Sequence, residues 1–304
     1  MDVNLRNDTN EDARLPSLER DYPDQEIFAC DFYVPEIESK GREVIGGYQW
    51  GRVVNVDHHA PTRAMERCVS SANLAIERIQ VLGFPSHPYC VVINHTDCDS
   101  VLSAGIMTGH LKPEERFGTA AVAADHTGEE NAISDLLQAL RQNRNYELSL
   151  RNLRLLLAGE PLEKPGMEAL SERLRKRELA RRRLGKFIMQ GQVAYAEFEE
   201  EMDADFFLSL LPDAAAILIS VPSIKAVHRR DMKLRMGHAA PEGFSLHALQ
   251  MNRYDDGYGG RWNAGSNRRH GGTSTSVDDY AKEVARRLDA VLNSLGAESA
   301  QPRQ

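Results

Sequence analysis

Three polar clusters along the chain combine side-chain types that ligate metals. Asp57-His58-His59 sets one carboxylate beside two imidazoles. That mixture suits Mn²⁺, Fe²⁺ or Zn²⁺, and additional carboxylates move the preference towards Mn²⁺ or Mg²⁺. Adjacent histidines point in different directions, so one can hold an ion while the other faces a substrate. His95-Thr96-Asp97-Cys98-Asp99 supplies three more ligands with period two. If this stretch is extended, all three side chains share one face. Its two carboxylates can then each serve one ion of a pair about 3.5–4 Å apart, the separation used for in-line displacement at phosphorus. Asp31 and Asp125 stand at the ends of two further apolar runs, IFACD and AVAAD.

The elements that must position these residues are readable as apolar runs. Residues 26–31, 53–56, 90–93 and 120–124 are short and apolar, and each ends in an acid or an imidazole. Runs of this kind suit buried parallel strands. Helical patterns lie between them, one opening at Ser70-Ser71-Ala72 and another at Ser100. Strand and helix in alternation predict an α/β fold with crossover helices. In such sheets ligands bind at the carboxyl ends of the strands, which is where all four polar ends fall.

A chain of 304 residues predicts roughly two domains. Residues 1–25 are polar and read as a disordered N-terminus, and 26–128 as the metal-binding domain. Residues 129–192 read as a charged helical bridge, 193–295 as a second, smaller α/β domain, and 296–304 as a tail. Strands are expected at 215–221, 233–236 and 244–249, and a final helix over 277–295. The Arg- and Lys-rich stretch 173–186 reads first as a solvated helix face. Its sharper reading is a basic wall guiding a phosphorylated substrate. Net charge is −8 with a pI near 5.7, which disfavours binding of long duplex nucleic acid by bulk charge. No apolar run reaches the roughly 18 residues needed to cross a bilayer, and the acidic N-terminus is unlike a secretory signal. Four cysteines without CxxC spacing argue against a disulfide framework or structural zinc. The expected location is cytoplasmic.

The segments VVNVDHH (53–59), VSSANLAIERI (69–79) and VINHTDCDSVLSA (92–104) resemble the DHH phosphoesterase family. The Gly-rich stretch around 259–265, GGRWNAG, is similar to the loop of the family's companion DHHA1 domain. The resemblance implies a parallel-sheet DHH-like domain, a helical bridge and a DHHA1-like substrate domain. It implies two Mn²⁺ ions, with Mg²⁺ as the alternative, and a metal-activated water that attacks phosphorus. His95 and Asp97 would bind one ion, and Asp99 and His58 the other. Asp57 would support the site and His59 would contact the scissile phosphate. Asp31 would bridge the ions, and Asp125 resembles the family's late acidic motif. Substrate would be held by Gly259, Gly260, Arg261, Asn263, Gly265, Arg268, Arg269 and His270. The substrate would be a small phosphorylated molecule, a nucleotide or a short single-stranded oligonucleotide, and the expected assembly is a homodimer. The motif order departs from the family, because Asp31 and DHH precede His-Thr-Asp-Cys-Asp.

Two rival readings remain open at this level. Asp97-Cys98-Asp99-Ser100-Val101 fits the nucleophile motif of haloacid-dehalogenase-like phosphatases, with Asp97 attacking phosphorus, but leaves Asp57-His58-His59 unexplained. A non-catalytic nucleotide-binding regulator on the same scaffold would account for the altered motif order.

Overall fold

A computed structural model describes residues 2–6, 13–59 and 69–299. Cys68 and residues 300–304 of the expected tail lie outside the described residues. The chain divides into two compact units, 1–176 and 177–304.

The first unit is built on a six-stranded sheet. Its strands are β1 (Val3–Leu5), β2 (Glu26–Cys30), β3 (Arg42–Val44), β4 (Gly47–Trp50), β5 (Val53–Val56) and β6 (Tyr89–Ile93). Their order is β1-β6-β2-β5-β4-β3. The first four in that order run parallel, and β4 and β3 form an antiparallel margin. The stretch 1–25, read from sequence as disordered, contributes β1 and the helix α1 (Leu15–Asp21).

Strand alternation divides the apolar residues between two layers. Phe28, Cys30, Val54, Val56, Val91 and Ile93 pack on one face against α3 (Ser71–Leu82), α4 (Cys98–Met107) and α5 (Glu115–Val122). Ile27, Ala29, Val53, Cys90 and Val92 pack on the other against α1 and α2 (Pro35–Lys40). Both faces are covered, so the central strands are apolar at almost every position. Three further helices complete the unit or leave it: α6 (Ala132–Leu140), α7 (Tyr146–Ala158) and α8 (Lys164–Arg183), the last extending into the second unit.

The run 120–124, expected to be a strand, is helical instead. It forms the end of α5 and the start of a π-helical turn, Ala123–Thr127. Its alanines have the strongest helix propensity of all residues. The bulge closes on Gly128 in the left-handed conformation, φ 67°.

The second unit holds a second six-stranded sheet of β7 (Ile188–Gln190), β8 (Val193–Glu197), β9 (Ala216–Pro222), β10 (Arg230–Met236), β11 (Gly259–Gly260) and β12 (Ala264–Ser266), in the order β11-β12-β10-β9-β8-β7. Only β8 and β9 pair in parallel. Phe198 and Phe207 stack in its core beside Ile217 and Ile219. The helix α9 (Val277–Ser299) follows Ser276, whose hydroxyl caps it by accepting from the Asp279 N–H at 3.1 Å. The strand expected at 244–249 is a short 3₁₀ turn, Leu246–Leu249, capped by Ser245.

Candidate metal centre

Four strand and helix ends of the first unit converge on one buried cluster. Asp31 follows β2 with φ 57°, a left-handed conformation that Asp tolerates better than most residues. Its carboxylate is buried and held by two hydroxyls. Ser71 donates to Oδ1 at 3.0 Å and Ser100 to Oδ2 at 2.7 Å. Each oxygen then faces a different imidazole. Oδ1 is 3.9 Å from His58 Nε2, and Oδ2 is 3.2 Å from His95 Nε2.

Around those two oxygens the donors sort into two sets, each compact enough for an ion. Asp31, His95 and Asp97 form one, and Asp31, His58, Asp99 and Asp125 the other. His95 Nε2 is 3.2 Å from Asp97 Oδ2. His58 Nε2 lies 3.7 Å from Asp99 and 3.6 Å from Asp125. Asp31, His58 and His59 form a third close group. Among the described residues all such clusters lie in the first unit.

Local structure fixes each donor. Asp97 is the N-cap of α4, accepting from the Ser100 N–H at 3.1 Å. The expectation that His95, Asp97 and Asp99 lie on one extended face therefore fails. The helix begins between the two acids and turns Asp99 towards α3. There Asp99 accepts from the backbone N–H groups of Ser71 and Ala72, both at 2.7 Å. These donors are the first residues of α3, whose dipole favours an anion. The helix start itself is set by a capping box between Ser70 and Asn73.

Three imidazoles are oriented by neighbours. His95 Nδ1 lies 2.5 Å from Asn94 Oδ1, which leaves Nε2 for the cluster. His59 Nδ1 lies 2.6 Å from the fully buried Asp57 Oδ1. Partners of this kind fix tautomer and ring orientation. His58 packs between His59 and His126, with ring centroids 4.2 and 5.0 Å away. His126, Ser71, Ser100 and Asn94 also touch the cluster or its donors, and no motif in the sequence marks them as site residues. The two serines sit in helix-start patterns that were visible, but their hydrogen bonds to Asp31 span 40 and 69 residues.

The electrostatics are those of a buried, carboxylate-rich pocket. Burial and the charges of Asp31 and Asp125 hold Asp99 well above the usual carboxylate range, despite its two N–H donors. For His95, burial works against the charged form, but Asp97 and Asp31 outweigh it and push the pKa up to about 12. Asp97 is lowered against its own burial, chiefly by the charge of His95. Buried carboxylates this close require a cation or a proton, and hard oxygen donors with imidazoles fit a first-row divalent ion. The residues present therefore fit divalent metal.

Asn55 supports the centre from below. Its buried amide donates to Ala29 O at 3.1 Å and Phe32 O at 2.8 Å, and it accepts from the Val34 N–H at 3.1 Å. These bonds shape the turn that carries Asp31. Asn55→Ala is expected to cost about 2–4 kcal/mol, since three buried partners lose their bonds. Urea unfolding of the metal-free protein measures this, and a loss under about 0.5 kcal/mol would contradict the clamp.

The second unit presents the Gly-rich segment as a hairpin. Gly259 and Gly260 pair with Ser266 and Gly265, across a turn that contains Arg261, the buried Trp262 and Asn263. A Cβ at Gly260 would stand 2.2 Å from Ala264 O, and one at Gly265 2.2 Å from the Tyr258 hydroxyl. Close packing thus demands both glycines. Arg268 pairs with Glu201 at 2.7 Å, while Arg269 and His270 are exposed. Along the basic stretch of α8, Arg173 binds Asp135, Arg175 and Lys176 bind Glu172, and Arg181 and Arg182 bind Glu178. That is the pattern of a solvated, self-compensated face.

No protein-family model matches the chain, and no curated protein matches its sequence. Similar solved structures include a pGpG-specific phosphodiesterase, PggH, from Vibrio cholerae, with 12% identity and a TM-score of 0.44 over 72% of this chain and 96% of that one. An exopolyphosphatase-related protein from Bacteroides fragilis has 13% identity and a TM-score of 0.38 over 89% and 73% of the two chains. RecJ from Thermus thermophilus, solved with Mn²⁺, has 13% identity and a TM-score of 0.39, over 96% of this chain and 45% of its own.

Proposed function

We propose that this protein is a metal-dependent phosphoesterase of the DHH/DHHA1 type, hydrolysing a small phosphorylated substrate at a two-ion centre. The observation that carries the reading is Asp31, whose two oxygens each complete a separate donor set. His95 and Asp97 would hold one Mn²⁺ or Mg²⁺, and His58, Asp99 and Asp125 the other, with Asp31 shared. Bound ions would stabilise charge on phosphoryl oxygens and acidify a water in the site.

The chain's own residues prepare that chemistry. Ser71 and Ser100 fix both oxygens of Asp31, and the α3 N-terminus fixes Asp99, so the donors need little rearrangement. Asp57 holds the Nδ1 proton of His59 and leaves Nε2 to contact a phosphate oxygen. No side-chain nucleophile is required. In the second unit, we assign substrate contacts to the Gly259–Gly265 hairpin with Arg261 and Asn263, and to Arg268, Arg269 and His270. The acidic overall charge supports a nucleotide or a very short oligonucleotide over a long duplex.

A panel of mononucleotides, dinucleotides and a chromogenic phosphodiester, assayed with Mn²⁺, tests the reading. Turnover is expected, lost on chelation and reduced by about 10³-fold or more in His58→Ala. Tight binding without turnover would make the protein a sensor instead. Phosphate trapped covalently on Asp97 would establish the rival aspartyl mechanism.

A further inference from the structure

At the opposite end of β5 from Asp57 lies a second feature with chemistry of its own. Val53 opens β5 and pairs with Trp50, so Trp50 and Gly51 stand at the strand's start while the metal donors follow its end. Here Lys40, Arg42, Gln49, Trp50 and Gly51 line a recess of about 290 Å³. Trp50 leaves 46% of its surface exposed, although it is among the side chains with most to gain from burial. Arg42 and Gln49 are cross-strand partners, which places their side chains on one face. The next residue, Glu43, alternates to the other face. Neither Lys40 nor Arg42 has a carboxylate partner among the described residues, in a chain whose net charge is −8. Glu19 Oε1 lies 3.4 Å from the Cβ position of Gly51, and the charged side chains that line the recess itself are the two cations.

We propose that this recess binds a free nucleoside monophosphate, its base stacked on Trp50 and its phosphate on Lys40 and Arg42. An exposed indole offers a face to any base, and a guanidinium beside an ammonium offers charge-assisted hydrogen bonds to phosphate. The proposal does not rest on the metal-centre reading.

Of the two tryptophans, Trp262 is buried in the second unit. Trp262→Phe therefore leaves Trp50 as the reporter. Titration with AMP in the presence of chelator is expected to quench its emission saturably, with adenosine much weaker and ribose 5-phosphate silent. The Lys40→Glu/Arg42→Glu variant should bind AMP at least about tenfold more weakly while Mn²⁺-dependent hydrolysis is unchanged. The Trp50 indole N–H resonance of the wild-type protein follows the same titration should Trp262→Phe not fold. Failure of AMP to perturb Trp50, equal quenching by ribose 5-phosphate, or unchanged affinity in the charge-reversed variant would overturn the proposal. Because chelator is present throughout, failure here leaves the phosphoesterase reading standing, and loss of hydrolysis there leaves this site standing.

Discussion

Replacing Asp31 by Asn is expected to remove hydrolysis to below about one part in 10³, a loss of ~4 kcal/mol of transition-state stabilisation, and to strip both ions together. The reason is topological. Asp31 alone belongs to all three compact groups of the centre, whereas His58 belongs to two and every other donor to one. Asn is near-isosteric and also tolerates the left-handed backbone at φ 57°, so the turn should survive. The amide supplies no negative charge, and its Nδ2 cannot ligate. Its effect on the metal-free fold should be small, because Asp31 both pushes Asp99 upward and stabilises the charged His95. Its removal relieves one repulsion and forfeits one attraction, and metal-free Asp31→Asn should stay within about 1 kcal/mol of metal-free wild type. Lost activity together with retained metal-free stability separates a ligand from a merely structural acid. Activity within about tenfold of wild type would contradict the assignment, because removing even one preorganised charge-stabilising group ordinarily costs more.

Metal removal should destabilise the protein, and increasingly so as pH rises. Free ion at roughly 1,000 times its dissociation constant contributes about 4 kcal/mol to the folded state. The pH dependence follows from the metal-free groups. Asp99 is raised in the folded state, so the stability linked to its protonation is complete below the unfolded value and fades as pH climbs towards the raised one. His95, raised to about 12, behaves alike, fading from the ordinary histidine range upward. Asp97 is lowered, so its contribution is already complete well above the normal carboxylate range and stays constant near neutrality. From pH 5 to pH 8 the metal-free protein therefore loses stability, while ions replace the lost positive charge and release protons as they bind. Melting temperatures with Mn²⁺ and with chelator should diverge across that interval. A constant or narrowing gap would contradict the electrostatic account.

Much of the centre was legible because buried parallel strands betray themselves. VVNV and YCVVI are apolar runs with polar ends, and the polar ends are the site. Asp125 reaches the site from a π-helical turn and not from the strand end that its sequence suggests. Its alanine-rich run looks like a short strand, yet α5 continues through it and a π-helical turn delivers the carboxylate to 3.6 Å from His58. The period-two reading of His95, Asp97 and Asp99 overlooked that an Asp followed three residues on by Ser100 can cap a helix, which α4 does at Asp97. Asn55 was invisible for a different reason. Within VVNVD it looks like a polar interruption, and its value depends on a turn more than twenty residues away in sequence. The Gly-rich hairpin shows the converse, since two of its glycines are demanded by packing against Ala264 and Tyr258.

The most direct test is an anomalous-scattering map of crystals grown with Mn²⁺. The account predicts two peaks in the first unit, one among Asp31, His95 and Asp97 and one among Asp31, His58, Asp99 and Asp125, with the Asp31 carboxylate touching both. A single ion, or two ions of which either lies out of reach of Asp31, would contradict it.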